Sequence, residues 1–314
     1  MPSILQSALH PASAQAARIE VLWWVLFWIC AIVYVLVAGA VVLAVRRARS
    51  PSPERPDEGR LFRVVSGATA VTIAVLFGLL AASVWTGRTI AAGDPQQAVL
   101  IKVVGQQWWW HVEYYADDPV RHATTANELH LPVGRPVAIK LMSSDVIHSL
   151  WIPNLQGKRD LVPGRDTWLW IQASKPGVYR GQCAEYCGLQ HAHMSLAVIV
   201  ESSDDFERWL AAQRVTAPPP SNALQVRGRE VFEQGPCGMC HSVRGTSAGG
   251  RTAPDLTHFA TRSTIAAGTA PNTPGYRAGW IANPQHLKPG TRMPAIALTP
   301  DDLQAVLAYL ETLK

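Results

Sequence analysis

The sequence predicts a multidomain membrane protein with a two-helix transmembrane hairpin, an all-β domain and an all-α domain, in that order. Two long uncharged runs lie in the first third of the chain, strand-like runs fill the middle, and helical periodicity follows a proline-rich break. A chain of 314 residues has room for two or three domains. The expected bounds are residues 1–90 for the hairpin, 91–215 for the β-domain, 216–223 for the linker and 224–314 for the helical domain.

Two apolar runs, at residues 21–45 and 64–86, are long enough to cross a bilayer, because a helix needs about 20 apolar residues to span its hydrocarbon core. A cleaved signal peptide is the alternative interpretation of the first run. Signal cores are usually only about 7–15 residues long and follow a basic stretch, whereas this run is longer and only Arg18 precedes it. We therefore expect two membrane-spanning helices in contact with lipid.

The loop between these runs is basic and carries Arg46, Arg47, Arg49, Arg55, Arg60 and Arg63. Basic loops remain on the cytoplasmic side of a membrane, so we expect both termini and everything after about residue 90 on the periplasmic or external side. The net charge of +5 owes much to this loop. Since the rest of the sequence has neither a helix-turn-helix motif nor a basic stripe, no nucleic-acid partner is predicted.

The all-β domain is predicted from seven strand-like runs separated by Pro, Gly, Asp or Asn. These runs read QAVLIKVV, WWWHVEYY, NELHLP, PVAIKLM, DTWLWIQA, GVYRGQ and MSLAVIV. A small sandwich or barrel is the expected architecture. The stretch SDDFERWLAAQR then predicts a short amphipathic helix with Ser203 as its N-cap.

The helical domain follows a stiff TAPPP hinge at residues 216–220. Ser221 is the expected cap of its first helix, and Thr299 with Pro300 begins its last helix. The apolar face of that last helix consists of Leu303, Val306, Leu307 and Leu310. About 90 residues are few for a purely hydrophobic core, so we expect another group to stabilise this domain.

The motif CGMCH at residues 237–241 has the pattern of covalent c-type haem attachment. Cys237 and Cys240 would form the two thioether bonds, and His241 would ligate the iron. A zinc or redox C-x-x-C motif is the alternative, but the following histidine and the external location disfavour it.

The iron needs a second axial ligand, for which Met293 in GTRMPA is our prediction. A Met/His pair raises the potential of haems that carry electrons, and Met293 lies outside any regular element because it follows a glycine-rich loop and precedes a proline. His258 and His286 are the competing candidates. Met239 lies inside the attachment loop and is not expected to reach the far face of the haem.

A second cluster of metal-binding residue types lies in the stretch GQCAEYCGLQHAHM at residues 181–194, with one more histidine upstream at the end of a strand-like segment. Its candidate ligands are His148, Cys183, Cys187, His191 and Met194. Two thiolates and two imidazoles also suit tetrahedral zinc, but the added thioether favours copper. With two cysteines, the thiolates can bridge two copper ions, and Met194 and the backbone carbonyl of Glu185 can fill the weak positions.

Disulfides are the alternative for both cysteine pairs in an oxidising compartment. The spacing and the neighbours of each pair favour metal chemistry instead. The fifth cysteine, Cys30, lies within the first apolar run and is interpreted as a packing residue.

With these motifs in place, the stretch from about residue 20 to 213 resembles subunit II of haem–copper cytochrome oxidases, which carries the binuclear CuA centre in a cupredoxin-like domain. Residues 224–314 resemble the cytochrome c domain fused to that subunit in some bacterial oxidases. The resemblance implies that the CuA ligands are His148, Cys183, Glu185 through its carbonyl, Cys187, His191 and Met194. It also implies that Trp108 in GQQWWWHVEY receives electrons for CuA, and that the Glu185 side chain faces a magnesium ion at the contact with subunit I.

The function that the resemblance implies is electron transfer in the bacterial inner (plasma) membrane. A cytochrome c would reduce the haem, the haem would reduce CuA, and CuA would pass electrons to subunit I, which reduces oxygen and is joined by subunit III. The electron-input subunit of a CuA-type nitric oxide reductase is the alternative. A membrane-anchored copper chaperone or metal sensor is disfavoured because it has no need of CGMCH. A nitrous oxide reductase is disfavoured because it needs a long histidine-rich second domain.

The remaining histidines are interpreted as surface or structural residues, namely His10, His111, His122, His130 and His193.

Overall fold

The computed structural model describes residues 5–48, 57–91, 93, 98–116 and 122–314. These residues form two compact units. One unit contains the described residues between 17 and 92, and the other contains the described residues before and after them.

The first unit is a pair of long helices, α1 (Ala14–Ala48) and α2 (Glu58–Ala91). Both are long and apolar enough to cross a membrane, as predicted, and both extend beyond the apolar runs at 21–45 and 64–86. Polar residues flank the spans, since α1 ends in Arg46 and Arg47 and α2 begins with Glu58. Of the six loop arginines, Arg49 and Arg55 lie outside the described residues.

The second unit contains the predicted β-domain, a sandwich of two five-stranded sheets. Its strands are β1 (Val99–Gln106), β2 (Trp109–Tyr114), β3 (Ala123–Ala126), β4 (Glu128–Pro132), β5 (Val137–Ser143), β6 (His148–Ile152), β7 (Gln156–Leu161), β8 (Thr167–Ile171), β9 (Gly177–Cys183) and β10 (Ser195–Glu201). The sheet orders are β3-β2-β1-β5-β8 and β4-β10-β9-β6-β7. The pairs β1–β5 and β4–β10 are parallel, and the other pairs are antiparallel.

The core lies between the two sheets and is built by side-chain alternation along the strands. In β1, for example, Ile101 and Val103 are fully buried while Lys102 and Val104 are only half-buried. Helix α3 (Ser203–Ala212) closes one side of the sandwich with the buried Phe206. The β-domain and its short terminal helix are therefore confirmed.

Three details of the predicted β-domain were wrong. Two edge strands were not predicted, because β3 (ATTA) has no large apolar residue and β7 (QGKRDL) is mostly polar. His148 begins strand β6 and does not end a strand, because the pairing of β6 with β7 starts at this residue. The N-cap of α3 is Ser202 and not Ser203, because the Ser202 hydroxyl accepts the hydrogen bond from the Asp205 amide at 3.1 Å.

The residues before α1 pack on the β-domain. The amide of Leu5 donates to the Val178 carbonyl at 3.1 Å, and the amide of Ala12 donates to the Asn154 carbonyl at 2.7 Å. These backbone bonds place the described residues up to 16 in the compact unit of the β-domain, whereas the expected 1–90 boundary groups them with the hairpin.

The helical domain follows the linker and contains five helices and a two-stranded sheet. They are α4 (Ala223–Gln234), α5 (Cys237–Cys240), β11 (Thr264–Ile265), β12 (Ala270–Pro271), α6 (Pro274–Ala282), α7 (Pro284–Leu287) and α8 (Pro300–Leu310). The first and last of the helices, α4 and α8, cross closely at Gly228, where an added Cβ would lie 1.9 Å from the Ala305 carbonyl oxygen. The small core around this crossing includes Phe232, Val306 and Tyr309.

The ends of these helices test the predicted caps. Thr299 caps α8 as predicted, since its side chain accepts a hydrogen bond from the Asp302 amide at 3.1 Å. The cap of α4 is Asn222 and not Ser221. The Asn222 side chain reaches the Gln225 amide at 3.0 Å, whereas Ser221 bonds the Gln225 side chain.

Candidate metal centre

The ligand candidates of the β-domain come from three neighbouring strands of one sheet. His148 begins β6, Cys183 ends β9, and Met194 directly precedes β10. Strand β9 pairs with both β6 and β10, so the ends of these strands meet at one edge of the sandwich. The loop 184–193 closes over this edge.

The two thiols and the two imidazoles of this cluster are in contact. The Sγ atoms of Cys183 and Cys187 lie 3.7 Å apart, which is far longer than the ~2.05 Å of a disulfide bond. Nδ1 of His148 lies 3.8 Å from the Cys183 sulfur, and Nδ1 of His191 lies 3.6 Å from the Cys187 sulfur. Each sulfur therefore has one imidazole nitrogen beside it.

Two weaker donors complete the cluster. The Glu185 carbonyl oxygen lies 3.2 Å from the Cys183 sulfur, and the Met194 Sδ lies 3.9 Å from the Cys187 sulfur. The structure thus brings together all six of the predicted copper ligands. Both cysteines and Met194 are buried, and His148 is fully enclosed.

The donor set fits a soft metal. Two thiols, two imidazole nitrogens, a thioether and a carbonyl form a combination that suits copper, because thioether and thiolate sulfur select softer ions. Among the residues that the structure describes, His148, Cys183 and Cys187 are the one group of at least three Cys, His, Asp or Glu side chains close enough to share an ion.

In the metal-free protein, the Cys183 and Cys187 thiols hydrogen-bond to each other and differ in pKa. The pKa of Cys183 is lowered to about 3, chiefly because the Cys187 thiol hydrogen-bonds to it. The pKa of Cys187 is raised for the same reason, since its proton is held against the Cys183 thiolate. Metal binding would release this proton, because only the thiolate ligates.

Side chains around the cluster hold its ligands in place. The indole Nε1 of Trp108 donates to the Cys187 carbonyl at 3.0 Å, and Nε2 of Gln107 donates to the same oxygen at 2.8 Å. The Asp145 carboxylate accepts from the second ring nitrogen of His148. Sequence reasoning missed both Asp145 and Gln107. A carboxylate partner of a histidine ligand is common in metal sites, and the nearness of Asp145 to His148 in the sequence was the one available signal.

The three consecutive tryptophans have different surroundings. Trp108 is 9% exposed and touches the cluster through the Cys187 carbonyl. Trp110 is fully buried with its ring 6.2 Å from the His148 ring. Trp109 packs edge-on against His111. Trp108 is thus the tryptophan of this run that hydrogen-bonds to a cysteine of the cluster.

The attachment motif of the helical domain forms the one-turn helix α5. Its two cysteines are free, and His241 follows directly. Nδ1 of His241 lies 2.7 Å from the Pro254 carbonyl, so Nδ1 carries the proton and Nε2 carries the lone pair. Burial lowers the pKa of His241, which keeps the ring neutral. Two free thiols beside a neutral imidazole fit covalent haem attachment.

The candidates for the second axial ligand differ in their availability. Both ring nitrogens of His258 lie within 3.0 Å of backbone carbonyls, of Lys314 and Val215. His286 is exposed on α7. Met293 is half-buried in the irregular segment between α7 and α8, as predicted for a ligand outside a regular element.

The Glu185 carbonyl lies beside the Cys183 sulfur, but the Glu185 side chain lies beside Lys158. Its carboxylate lies 3.4 Å from the Lys158 ammonium, and both side chains are about half exposed. The predicted magnesium ion at this carboxylate stays a prediction.

The chain combines two helices long and apolar enough to span a membrane, a thiol–imidazole cluster in a β-sandwich and a C-x-x-C-H motif in a helical domain. The family model "Cytochrome C oxidase subunit II, periplasmic domain" matches residues 115–202, and the model "Cytochrome c" matches residues 225–314. Cytochrome c oxidase subunit 2 of Alkalihalophilus pseudofirmus is 34% identical over 98% of this chain and 91% of its own length. The Bacillus subtilis protein of the same name is 28% identical over 87% of this chain and 81% of its own length.

Among solved structures, the periplasmic domain of subunit II of cytochrome oxidase of Bradyrhizobium japonicum is 29% identical, with a TM-score of 0.36. The match covers 38% of this chain and 96% of that domain. The chain belongs to the cytochrome c oxidase subunit II family, in a form with a C-terminal cytochrome c domain. It is therefore part of an oxidoreductase, and its two domain types imply copper CuA and haem c.

Proposed function

We propose that this chain is the electron-input subunit of a respiratory haem–copper oxidase, with oxygen as the terminal acceptor. When bound, haem c and CuA supply a one-electron relay between a reduced cytochrome c and subunit I. The chain itself binds, orients and encloses these groups. The similar proteins are named as oxidase subunits, which favours oxygen over nitric oxide as the acceptor.

One observation carries the proposal, namely the pair of buried sulfurs 3.7 Å apart with an imidazole nitrogen beside each. The two thiolates and the two imidazoles would hold a pair of copper ions, which would supply one-electron transfer chemistry there. The proposed CuA ligands are His148, Cys183, Glu185 (carbonyl), Cys187, His191 and Met194. Four of these residues, His148, Cys183, Cys187 and Met194, are buried, and Glu185 and His191 are half-buried.

The proposed haem ligands are His241 and Met293, with thioether bonds at Cys237 and Cys240. The Pro254 carbonyl holds the proton of His241 on Nδ1, so that the Nε2 lone pair would be available to ligate the iron. The neutral imidazole and the thioether together favour a carrier haem of raised potential.

Trp108 is the proposed residue through which electrons reach CuA. Its indole hydrogen bond to the Cys187 carbonyl supports this role.

The proposed partners are subunit I, subunit III and a cytochrome c donor, with magnesium between the Glu185 carboxylate and subunit I. The proposed domain division remains 1–90, 91–215, 216–223 and 224–314, except that the described residues up to 16 pack with the β-domain.

The proposed location is the bacterial inner membrane, with both termini and the two redox domains on the periplasmic side. Arginines at the end of α1 and at the start of α2 support this orientation, because basic flanks remain in the cytoplasm.

The test is Cys183→Ser in the purified oxidase, with Cys30→Ser as a matched control. We expect Cys183→Ser to lose the copper pair and its near-infrared absorption, to retain covalent haem c, and to stop turnover. Cys30→Ser should retain both groups. Zinc in place of copper in the wild type, or normal oxidase activity in Cys183→Ser, would contradict the proposal.

A further inference from the structure

The segment leading to Met293, residues 288–292, lies against the β-domain and is here named the docking loop. The Lys288 side chain is only 2% exposed. Its ammonium group donates to the carbonyls of Trp108 at 2.7 Å, His193 at 2.8 Å and Ala266 at 3.1 Å. Two of these acceptors belong to the β-domain and one to the helical domain, so a single side chain ties the two domains together.

The middle of the docking loop approaches the cluster loop closely. Nε2 of Gln190 donates to the Pro289 carbonyl at 2.8 Å. Gly290 has a φ of +84°, and an added Cβ there would lie 2.8 Å from the side chain of Leu189. The positive φ favours glycine at this position.

The far end of the docking loop reaches the side chains that support the copper ligands. Nη2 of Arg292 lies 3.3 Å from Oε1 of Gln107 and 3.6 Å from the Asp145 carboxylate. Gln107 in turn donates to the Cys187 carbonyl, and Asp145 accepts from His148. Arg292, the immediate neighbour of Met293, thus touches both of these supports.

Lys288 is a buried cation, and one of its hydrogen-bond acceptors, the Ala266 carbonyl, belongs to a residue with positive φ. Removing an ammonium from water is costly unless its hydrogen bonds are replaced, and burial lowers the pKa of Lys288 to about 7. Ala266 and Ala267 have φ values of +52° and +57°, which are uncommon for residues other than glycine. This conformation directs the Ala266 carbonyl to Lys288 and the Ala267 carbonyl to the amide and hydroxyl of Ser195.

We propose that Lys288 and Arg292 are positioning residues that fix the Met293 loop on the copper-ligand loops. This inference rests on the proposed function, in which one electron leaves the reduced haem and reduces the copper pair. The rate of electron transfer through protein falls steeply with distance, so a loop that holds the Met293 segment against the copper-ligand loops would keep this step fast. Neither residue is a proposed ligand of a metal, and both act through the loops that they hold.

The test uses the whole purified oxidase with the variants Lys288→Met and Arg292→Gln. Lys175→Met is the matched control, because Lys175 is an exposed lysine whose ammonium donates to the Pro11 carbonyl at 3.0 Å. A flash with a soluble photoreductant reduces the haem, and absorbance then follows haem oxidation and copper reduction. Spectra and reduction potentials of both groups are measured in every variant.

We expect Lys288→Met to slow haem-to-copper transfer by about tenfold or more, since small displacements of reacting groups have large rate effects. Arg292→Gln should slow it by about threefold, because exposed ion pairs are weak. The absorption spectra, the potentials and the initial haem reduction should remain as in the wild type, and Lys175→Met should match the wild type throughout.

A wild-type transfer rate in a Lys288→Met enzyme that retains both groups overturns the proposal. If Lys288→Met loses the haem or the copper, the Arg292→Gln enzyme becomes the test. A wild-type rate of haem-to-copper transfer in Arg292→Gln would then overturn the proposal. If the wild type holds both groups but shows no haem-to-copper transfer, the proposed function fails and the docking proposal falls with it.

Discussion

The Asp145 carboxylate accepts a hydrogen bond at 2.8 Å from Nε2 of His148, the ring nitrogen opposite the one that faces Cys183. Burial raises the pKa of Asp145, but hydrogen bonds from His148 and from the amides of Gln107 and Val146 outweigh it, and the pKa is lowered. The carboxylate is therefore ionised and holds the His148 proton on Nε2. This leaves the Nδ1 lone pair directed at the metal cluster.

Asp145→Asn keeps the shape of this side chain and removes its charge. Loss of such a partner typically weakens metal affinity by about 10–100-fold, so we expect copper to be lost to a chelator at correspondingly lower concentrations. Competition titration followed by near-infrared absorption measures the effect. Asp166→Asn is the control, because Asp166 pairs with Lys140 away from the cluster. Equal copper retention in the two variants would show that Asp145 has no supporting role.

The variant Met293→Ala tests whether Met293 is the second axial ligand of the haem. We expect loss of low-spin Met/His ligation while the covalent haem remains, because the thioether bonds do not depend on this residue. The visible spectrum of the haem reports the change. Met239→Ala serves as the control, since Met239 is 78% exposed within the attachment motif. An unchanged spectrum in Met293→Ala would reject this residue as the ligand.

Much of the chemistry of this chain could be predicted from its sequence because most candidate ligands lie close together in sequence, His148 and Met293 excepted. Cys183 to Met194 spans one loop, and CGMCH spans one turn of helix. The residues that hold the ligand loops in place from distant parts of the sequence could not be predicted in the same way. Lys288 looks like an ordinary exposed lysine until the folded chain places it beside Trp108, which is 180 positions away.

The fold shows the same division between local and distant causes. The apolar strands were predicted because alternation is a local pattern, while the edge strand β7 has a polar sequence and forms by pairing with β6. The caps at Ser202 and Asn222 each lie one residue from the predicted cap. Adjacent polar residues offer the same hydroxyl or amide chemistry, and only the backbone angle at the helix start decides which of them is the cap.

The crossing of α4 and α8 at Gly228 makes a prediction for stability. A methyl group at Gly228 would overlap the Ala305 carbonyl, so Gly228→Ala should force the helices apart and destabilise the helical domain by about 1–3 kcal/mol. The matched control is Gly279→Ala in α6, where an added Cβ meets no described protein atom within 4 Å. That change should stabilise the helix by about 0.5–1 kcal/mol. Thermal unfolding followed by haem absorbance measures both, and equal melting temperatures would contradict the prediction.

A buried histidine links the stability of the β-domain to pH. The His130 ring stacks on Trp209 with centroids 3.8 Å apart, and its Nδ1 lies 2.8 Å from the Glu201 carboxylate. The Glu128 carboxylate lies 4.0 Å from Nε2. Burial lowers the pKa of His130, but the nearby negative charges of Glu128 and Glu201 and the hydrogen bond to Glu201 outweigh burial, and the pKa is raised.

Because this folded-state pKa is raised, protonated His130 stabilises the fold fully below its unfolded pKa of about 6.5, and the contribution is lost as pH rises through the raised value. We therefore expect the free energy of unfolding of the wild type to fall over that window relative to His130→Gln, which keeps a polar side chain but does not titrate. Thermal unfolding of the two proteins between about pH 5 and pH 9 measures the difference. Parallel stability curves for the two proteins would show that the charge on His130 does not stabilise the fold.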